Sequence, residues 1–128
     1  MADTEKITIN MGAVDLGKVD LLVAEGVFSN RTDFIRTAIR NQLDKHEAEV
    51  RQSMSRNAYV VGVVLLNRQH LERAREKGQR MDLRVLGLLN VASDVSPELA
   101  RDTIERVTVR GMLRASEPVK RALLERMV

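Results

Sequence analysis

The chain has 128 residues, 44% of them hydrophobic and 30% charged, with a formal net charge of +3, a size that suits one ordinary domain or two small units. The absence of cysteine excludes disulfides, thiolate metal sites and a cysteine nucleophile. No apolar run is long enough to span a bilayer and the first residues lack the pattern of a secretory signal, so we expect a cytoplasmic protein.

The first predicted element is a short strand at residues 6–11. Its residues alternate between polar and apolar, which places Ile7, Ile9 and Met11 on one face of a half-buried strand. No second strand is predicted before residue 58, and a lone strand cannot satisfy its own backbone hydrogen bonds. We therefore expect it to pair with a distant strand or with another copy of itself.

Two amphipathic helices are predicted next. Apolar residues recur at helical spacing over residues 14–25, and Gly26 is well placed to end this helix. Ser29 can cap a second helix by accepting from the amides one turn on. An apolar stripe over residues 34–43 then marks the buried side of that helix.

The second half of the chain has a different pattern. Residues 51–57 lose the helical periodicity and gather small polar side chains, which predicts a hinge. Residues 60–66 are a near-continuous apolar run broken by Gly62, as in a strand buried on both faces. A helical stretch over residues 68–77 then ends at Gly78.

This strand-helix unit recurs twice, with strands at residues 85–89 and 109–113 and with helices that begin after Ser96 and Ser116. The strand glycines Gly62, Gly87 and Gly111 are 25 and 24 residues apart. A period of this size predicts a stack of β-α units with three parallel strands. The alternative is a mixed sheet with two helices, a sandwich of the ferredoxin type, in which the glycine spacing is accidental. The predicted fold class is α+β.

The strand and helices of residues 1–50 have too little core to stand as a monomer. In a dimer, two copies of the strand would pair antiparallel, with the apolar face inward and Lys6, Thr8 and Asn10 outward. A two-stranded ribbon fits the major groove of double-stranded DNA, where Lys can donate to guanine, Asn can pair with adenine and Thr can pack against a thymine methyl. The pattern therefore predicts a base-reading ribbon.

The start of the second helix predicts a phosphate contact. Ser29 and the amides of Asn30 and Arg31 would meet an anion at the positive end of the helix dipole, and the Arg31 side chain would add a charge. Such contacts position a protein on DNA, whereas the ribbon specifies the sequence.

Three segments carry a family resemblance: Lys6 to Met11, Gly26 to Arg36 and Ala38 to Arg40. Over residues 5–45 the chain resembles the ribbon-helix-helix family of bacterial and phage regulators, also called CopG- or Arc/MetJ-like. The resemblance implies an obligate homodimer, base contacts from Lys6, Thr8 and Asn10, and phosphate contacts near Ser29. Many members carry arginine at an outward strand position, where this chain has only Lys6. The resemblance does not extend to residues 58–128.

We therefore expect a sequence-specific, nucleoid-associated transcriptional regulator, a repressor, with residues 1–50 as the DNA-binding module. Residues 58–128 would supply oligomerisation or ligand sensing. One alternative is a self-assembling, DNA-organising or partition protein whose uncapped strand edges template further pairing. The other is an antitoxin whose tail folds on a toxin.

The charge distribution does not by itself favour DNA binding by the first half of the chain. Residues 1–50 carry six basic and nine acidic side chains, whereas residues 51–128 carry 15 basic and nine acidic ones. We expect the arginines of the second half to be mostly solvated, with some following the DNA backbone.

No cofactor, metal or enzymatic activity is expected. His46 and His70 lie 24 residues apart with no clustered carboxylate or thiol ligands. The glycine-rich stretches match no phosphate-binding loop, and no Ser-His-Asp or paired-carboxylate arrangement is present.

Overall fold

The structure, a computed structural model, describes residues 4–128, which divide into two compact units, residues 4–53 and residues 54–128. In chain order the elements are α1 (Ala13–Ala24), α2 (Arg31–Lys45), α3 (Glu47–Asn57), β1 (Val60–Leu66), α4 (Arg68–Glu76), β2 (Met81–Val91), α5 (Pro97–Thr103), β3 (Ile104–Arg114) and α6 (Glu117–Leu124). No helix within residues 4–128 is long and apolar enough to cross a membrane.

The N-terminal unit contains both predicted helices, α1 and α2. Gly26 has a φ of +80° and follows the C-cap residue of α1, as the sequence predicts. Val19, which is 4% exposed, is the one buried residue among residues 4–53. A single chain therefore gives this unit almost no core.

Residues 6–11, predicted as a strand, have no strand partner within residues 4–128. The sheet of the second unit consists of β1, β2 and β3 and does not include them. This excludes one of the two predicted solutions for their backbone hydrogen bonds, pairing with a distant strand of the same chain.

Residues 51–57, where the sequence predicts a hinge, belong to helix α3. None of the residues of α3 is buried. Its sequence also contains few apolar residues, so it lacks the apolar stripe by which a helix is recognised in a sequence. An ion pair one turn apart, from Arg51 Nη2 to Glu47 Oε1 at 2.6 Å, lies on its surface. The expected loss of helical structure is therefore not found, and the division between the compact units falls after Ser53.

The C-terminal unit is built on three parallel strands in the order β1-β2-β3. This confirms the predicted parallel stack and excludes the ferredoxin-type alternative. Gly62, Gly87 and Gly111 lie side by side in one row, with φ angles of +116°, +137° and +131°. A Cβ on Gly87 would lie 3.0 Å from the carbonyl carbon of Gly62, so the glycines permit a close approach of neighbouring backbones.

Helices α4, α5 and α6 cover one face of this sheet. Leu71, Leu99 and Leu123, one from each helix, pack with Val85 and Leu89 of β2 in a single apolar cluster. Because side chains alternate along a strand, odd-numbered positions of β2 and β3 supply most of this core, and Ile104, at the irregular start of β3, also belongs to it. All three helices therefore contribute side chains to one core, as the repeat predicts.

The helices of this unit begin at polar caps. Ser96 and Ser116 cap α5 and α6 as predicted. Asn67 Oδ1 accepts from the His70 amide at 2.9 Å, and His70 Nδ1 accepts from the Asn67 amide at 3.3 Å. This reciprocal capping box fixes the start of α4, and it gives His70 a structural role.

The other face of the sheet, here called the open face, is not covered by α4, α5 or α6. Val61, Val63 and Leu65 of β1 are 59%, 53% and 62% exposed. The prediction that β1 is buried on both faces is therefore wrong. β1 is an edge strand, and the helix layer covers one face alone.

The last residues of the chain run beside β3. The Val107 amide donates to the Arg126 carbonyl at 3.0 Å, and the Val128 amide donates to the Val107 carbonyl at 3.2 Å. This parallel bridge closes the first part of the outer edge of β3. The outer edge of β1 pairs with nothing within residues 4–128.

Candidate nucleic-acid interface

The predicted base-reading residues lie in an exposed and unpaired segment. Lys6, Thr8 and Asn10 are all exposed, and so are the apolar residues between them, Ile7 at 80% and Ile9 at 62%. A single chain therefore brings the three polar residues onto one short segment but does not turn the apolar face inward. Their arrangement on a ribbon stays a prediction.

Met11, the last residue of this segment, lines a groove of about 330 Å³ together with residues of α1 and α2. The other lining residues are Asp15, Lys18, Val19, Leu22 and Phe34. The Phe34 ring meets the Phe28 ring edge-on, with 5.0 Å between the centroids. This ring pair packs the turn between the helices against the first turn of α2.

Helix α2 starts differently from the prediction. Its N-cap is Asn30, whose Oδ1 accepts from the Asp33 amide at 2.8 Å. The Asp33 carboxylate in turn accepts from the Ser29 amide at 2.9 Å. The predicted Ser29 cap is therefore wrong, because Asn30 occupies the N-cap position one residue later.

This start of α2 offers fewer donors to an anion than the sequence predicts. The amides of Arg31 and Thr32 are in the first turn, where no helix carbonyl reaches them, and they point towards the positive end of the helix dipole. The Ser29 amide, however, already donates to Asp33. A phosphate at this end would therefore lie close to a carboxylate.

Arg31, predicted to contact phosphate, forms a two-point ion pair with Asp20 of α1. Its Nε donates to Oδ1 at 2.7 Å and its Nη2 donates to Oδ2 at 2.8 Å. The hydrogen bonds from Arg31 lower the pKa of Asp20 below its ordinary value, and the same bonds raise the pKa of Arg31. In a single chain this guanidinium links α1 to α2.

No group of three His, Asp or Glu side chains within residues 4–128 is arranged to hold a metal ion. His46 Nδ1 lies 3.4 Å from Glu49 Oε2 on the surface, and His70 caps α4. The two histidines of the chain therefore each have a local partner.

The C-terminal unit carries a second candidate, a cavity of about 230 Å³ that we call the basic concavity. It is lined by Asn57, Tyr59, Asp82, Arg84, Arg106, Thr108, Arg110 and Val128. The strand positions among these alternate with the core positions, so they belong to the open face. Three guanidinium-bearing residues thus line one site on neighbouring strands.

This cluster was not predicted from the sequence. The arginines of the second half were expected to be mostly solvated surface, and Arg84 was not singled out among them. The signal was present as alternation: Asp82 and Arg84 on β2, with Arg106 and Arg110 on β3, are offset by one from the apolar core positions. The predicted strands began at residues 85 and 109, which left most of these residues outside them.

The pattern of the ribbon-helix-helix transcriptional regulator family matches residues 2–120 of the chain. This match extends well beyond residues 5–45, to which the resemblance in the sequence is confined, and includes most of the C-terminal unit. No curated protein and no solved structure matches the chain. From the length of the family match, the chain belongs to the ribbon-helix-helix transcriptional regulator family.

Proposed function

We propose that this DNA-binding regulator is a sequence-specific repressor that works as a homodimer and reads the major groove with a ribbon formed by residues 6–11 of two copies. The observation that carries the proposal is the uncovered apolar face of this segment, where Ile7 and Ile9 are 80% and 62% exposed. Burying one such side chain is worth about 1.5–3 kcal/mol. An antiparallel pair of these segments would bury four such side chains and pair the backbone groups along the shared edge.

The helices support the same dimer. Val14 and Leu21 of α1 are 71% and 59% exposed, and Ile39 and Leu43 of α2 are 53% and 58% exposed. These apolar side chains leave the N-terminal unit without a closed core in one chain. A second copy would supply the missing partner surface.

On such a ribbon Lys6, Thr8 and Asn10 would face the bases. Lys suits the guanine acceptors and Asn suits adenine, while Thr can contact a thymine methyl group. Two copies present six reading side chains in a two-fold arrangement, so we expect operator half-sites related by two-fold symmetry.

We keep the start of α2 as the phosphate contact, without the Arg31 side chain among the donors. The Ser29 hydroxyl and the amides of Asn30 and Arg31 would approach the DNA backbone. The Arg31 side chain would hold α2 against α1 through Asp20. These contacts position the ribbon and carry no sequence information.

The C-terminal unit is proposed to assemble dimers. Its folded core does not favour the antitoxin alternative, which requires a tail that orders on a toxin. Joining several weakly charged readers raises affinity through effective concentration. We accordingly expect cooperative occupation of repeated operators on the nucleoid, in the cytoplasm.

The test is a comparison of two double variants of the full chain on an operator identified by genome-wide footprinting. Lys6→Ala with Asn10→Ala should weaken operator binding by about a hundredfold or more, since each base contact is worth about 1–3 kcal/mol and 1.4 kcal/mol is about a factor of ten. Non-specific DNA binding should change far less. Affinity is measured by gel-shift titration at fixed salt.

The matched control is Asn41→Ala with Lys45→Ala, which removes the same residue types from the exposed surface of α2. It should retain operator affinity within about threefold, which corresponds to less than about 1 kcal/mol. Unchanged operator binding by the Lys6 and Asn10 variant, with circular dichroism and dimer mass preserved, would refute the reading role of the strand.

A further inference from the structure

The basic concavity contains more positive charge than its own residues neutralise. Arg84, Arg106 and Arg110 line it, with Asp82 as the one carboxylate side chain among the lining residues. Three like charges around a volume of about 230 Å³ repel each other, although solvent reduces the effect. An anion bound between them would relieve that repulsion.

Arg84 is already held in place. Its Nη1 donates to the Asn57 carbonyl at 2.8 Å, and its Nη2 donates to Asp82 Oδ2 at 3.1 Å. These two bonds hold the guanidinium in place without a ligand. A side chain that is fixed in advance loses less entropy when a ligand binds.

Arg106 and Arg110 differ from Arg84, because neither has an ion-pair or hydrogen-bond partner among residues 4–128. Both lie on β3, two positions to either side of Thr108, which pairs with Arg84 across the strands. Alternate positions on a strand point to one face. The two free guanidinium groups therefore flank the point that Arg84 and Thr108 define.

Neutral donors complete the lining. Tyr59 and Thr108, which both carry a hydroxyl, are among the residues that line the basic concavity, and a hydroxyl can donate to an anionic oxygen. Guanidinium groups match the planar, two-oxygen edge of a carboxylate or phosphate. The chemistry of the donors thus selects for oxygen-rich anions.

We propose that the basic concavity binds a small anion bearing two or more negative charges, of the phosphate or carboxylate type, between Arg84, Arg106 and Arg110. A volume of about 230 Å³ is below the range of about 300–1,000 Å³ that holds drug-sized ligands. The ligand is therefore compact. Binding here does not depend on the proposed DNA-reading role of residues 6–11.

Duplex DNA fits this face less well than a small anion. The neighbouring part of the open face consists of Val61, Val63 and Leu65, which are all more than half exposed. Protein surfaces that follow a phosphate backbone are strongly basic and polar over their whole extent. A duplex laid across the concavity would cover apolar side chains with charged, hydrated phosphates.

The experiment is isothermal titration of the full-length protein at low salt, with pyrophosphate in one arm and citrate in the other. We expect wild type to bind at least one of the two anions at one site per chain. Arg106→Gln with Arg110→Gln should weaken that binding by tenfold or more. The arm that binds more tightly tells whether phosphate or carboxylate is preferred.

The matched control is Arg73→Gln with Arg121→Gln, which removes two exposed arginines from α4 and α6. This variant should bind the anion as wild type does. Thermal unfolding of each variant with saturating anion gives a second readout, because the ligand should raise Tm in wild type and in the control alone.

Three outcomes would overturn the proposal. Wild type could bind neither anion, or the control could lose as much affinity as the concavity variant, which would mean non-specific charge attraction. The concavity variant could also keep anion binding while losing operator affinity, which would make these arginines a DNA contact. Failure of the Lys6 and Asn10 variant on operator DNA bears on none of these results.

Discussion

Gly87 occupies a position that no residue with a side chain can share. Its φ is +137°, and a Cβ there would come 3.0 Å from the carbonyl carbon of Gly62 and 3.3 Å from its Cα. Gly111 meets Gly87 in the same way. At Gly62, on the edge strand, a Cβ would meet nothing within 4 Å, although φ is +116°. The same residue type thus has two different reasons to be present.

This difference predicts unequal costs for the same substitution. Gly62→Ala should destabilise the C-terminal unit by about 1–3 kcal/mol, the cost of one strained backbone position. Gly87→Ala adds a collision with the neighbouring backbone and should cost more, enough to unfold the sheet of a marginally stable unit. Urea unfolding followed by circular dichroism measures both. Equal free energies of unfolding for the two variants would contradict the role of close strand approach.

Residue-level prediction from the sequence was uneven for physical reasons. The spacing of Gly62, Gly87 and Gly111 was visible because the repeat has a constant length, and the structure confirms their row. The sequence did not show whether Ser29 or Asn30 caps α2, since both side chains can accept from an amide. In the structure, the hydrogen bond from the Asp33 amide to Asn30 Oδ1 identifies Asn30 as the cap.

At the scale of elements, α1 and α2 are joined by the pair between Asp20 and Arg31. The pKa of Asp20 is lowered in the folded protein by its hydrogen bonds with Arg31. A lowered pKa means that the pair stabilises the fold above the unfolded-state pKa and that this contribution is lost as pH falls through the folded-state value. Both side chains are about half exposed, so the effect is small.

We therefore expect Asp20→Asn to lower the Tm of the protein near neutral pH and to make progressively less difference below pH 3.8, the ordinary aspartate value. Added salt should also reduce the difference at neutral pH. Thermal unfolding measured from about pH 2 to about pH 7, a range that includes the titration of aspartate, checks this. Asp44→Asn, on the surface of α2, is the control. A difference between wild type and Asp20→Asn that grows on acidification would be incompatible with the pair.

The strands were predicted too short because charged side chains near their first residues interrupt the apolar pattern. β2 was expected at residues 85–89 and runs over Met81–Val91, and β3 was expected at 109–113 and runs over Ile104–Arg114. The added positions include Asp82, Arg84 and Arg106, which lie on the open face. Charged side chains are rare in parallel strands covered on both faces. They interrupt the apolar signal where one face is open.

For the whole molecule, the open face raises the question of what covers it. Parallel sheets are ordinarily covered on both faces, yet Val61, Val63 and Leu65 are exposed here. The proposed assembly of dimers through the C-terminal unit would cover them. The N-terminal unit and the C-terminal unit would then provide two separate association surfaces on one chain.

We expect Val63→Glu to reduce the mass of the full-length protein in solution to that of a dimer, because a charge cannot be buried in an apolar contact without a partner. Light scattering coupled to size-exclusion chromatography measures the mass. Leu124→Glu is the control, since Leu124 is 63% exposed on α6, in the helix layer. Wild type and Val63→Glu of the same mass would exclude this surface from assembly.

The chain segment beside β3 has a consequence for symmetry. Residues 126–128 pair with the outer edge of β3 at Val107. A second copy that paired its β1 with this edge would have to place the residues before its β1 at the same position. Head-to-tail addition is thereby obstructed, whereas two β1 edges can meet without obstruction. Pairing of like with like about a two-fold axis closes after two partners. We expect association through the C-terminal unit by itself to stop at two partners.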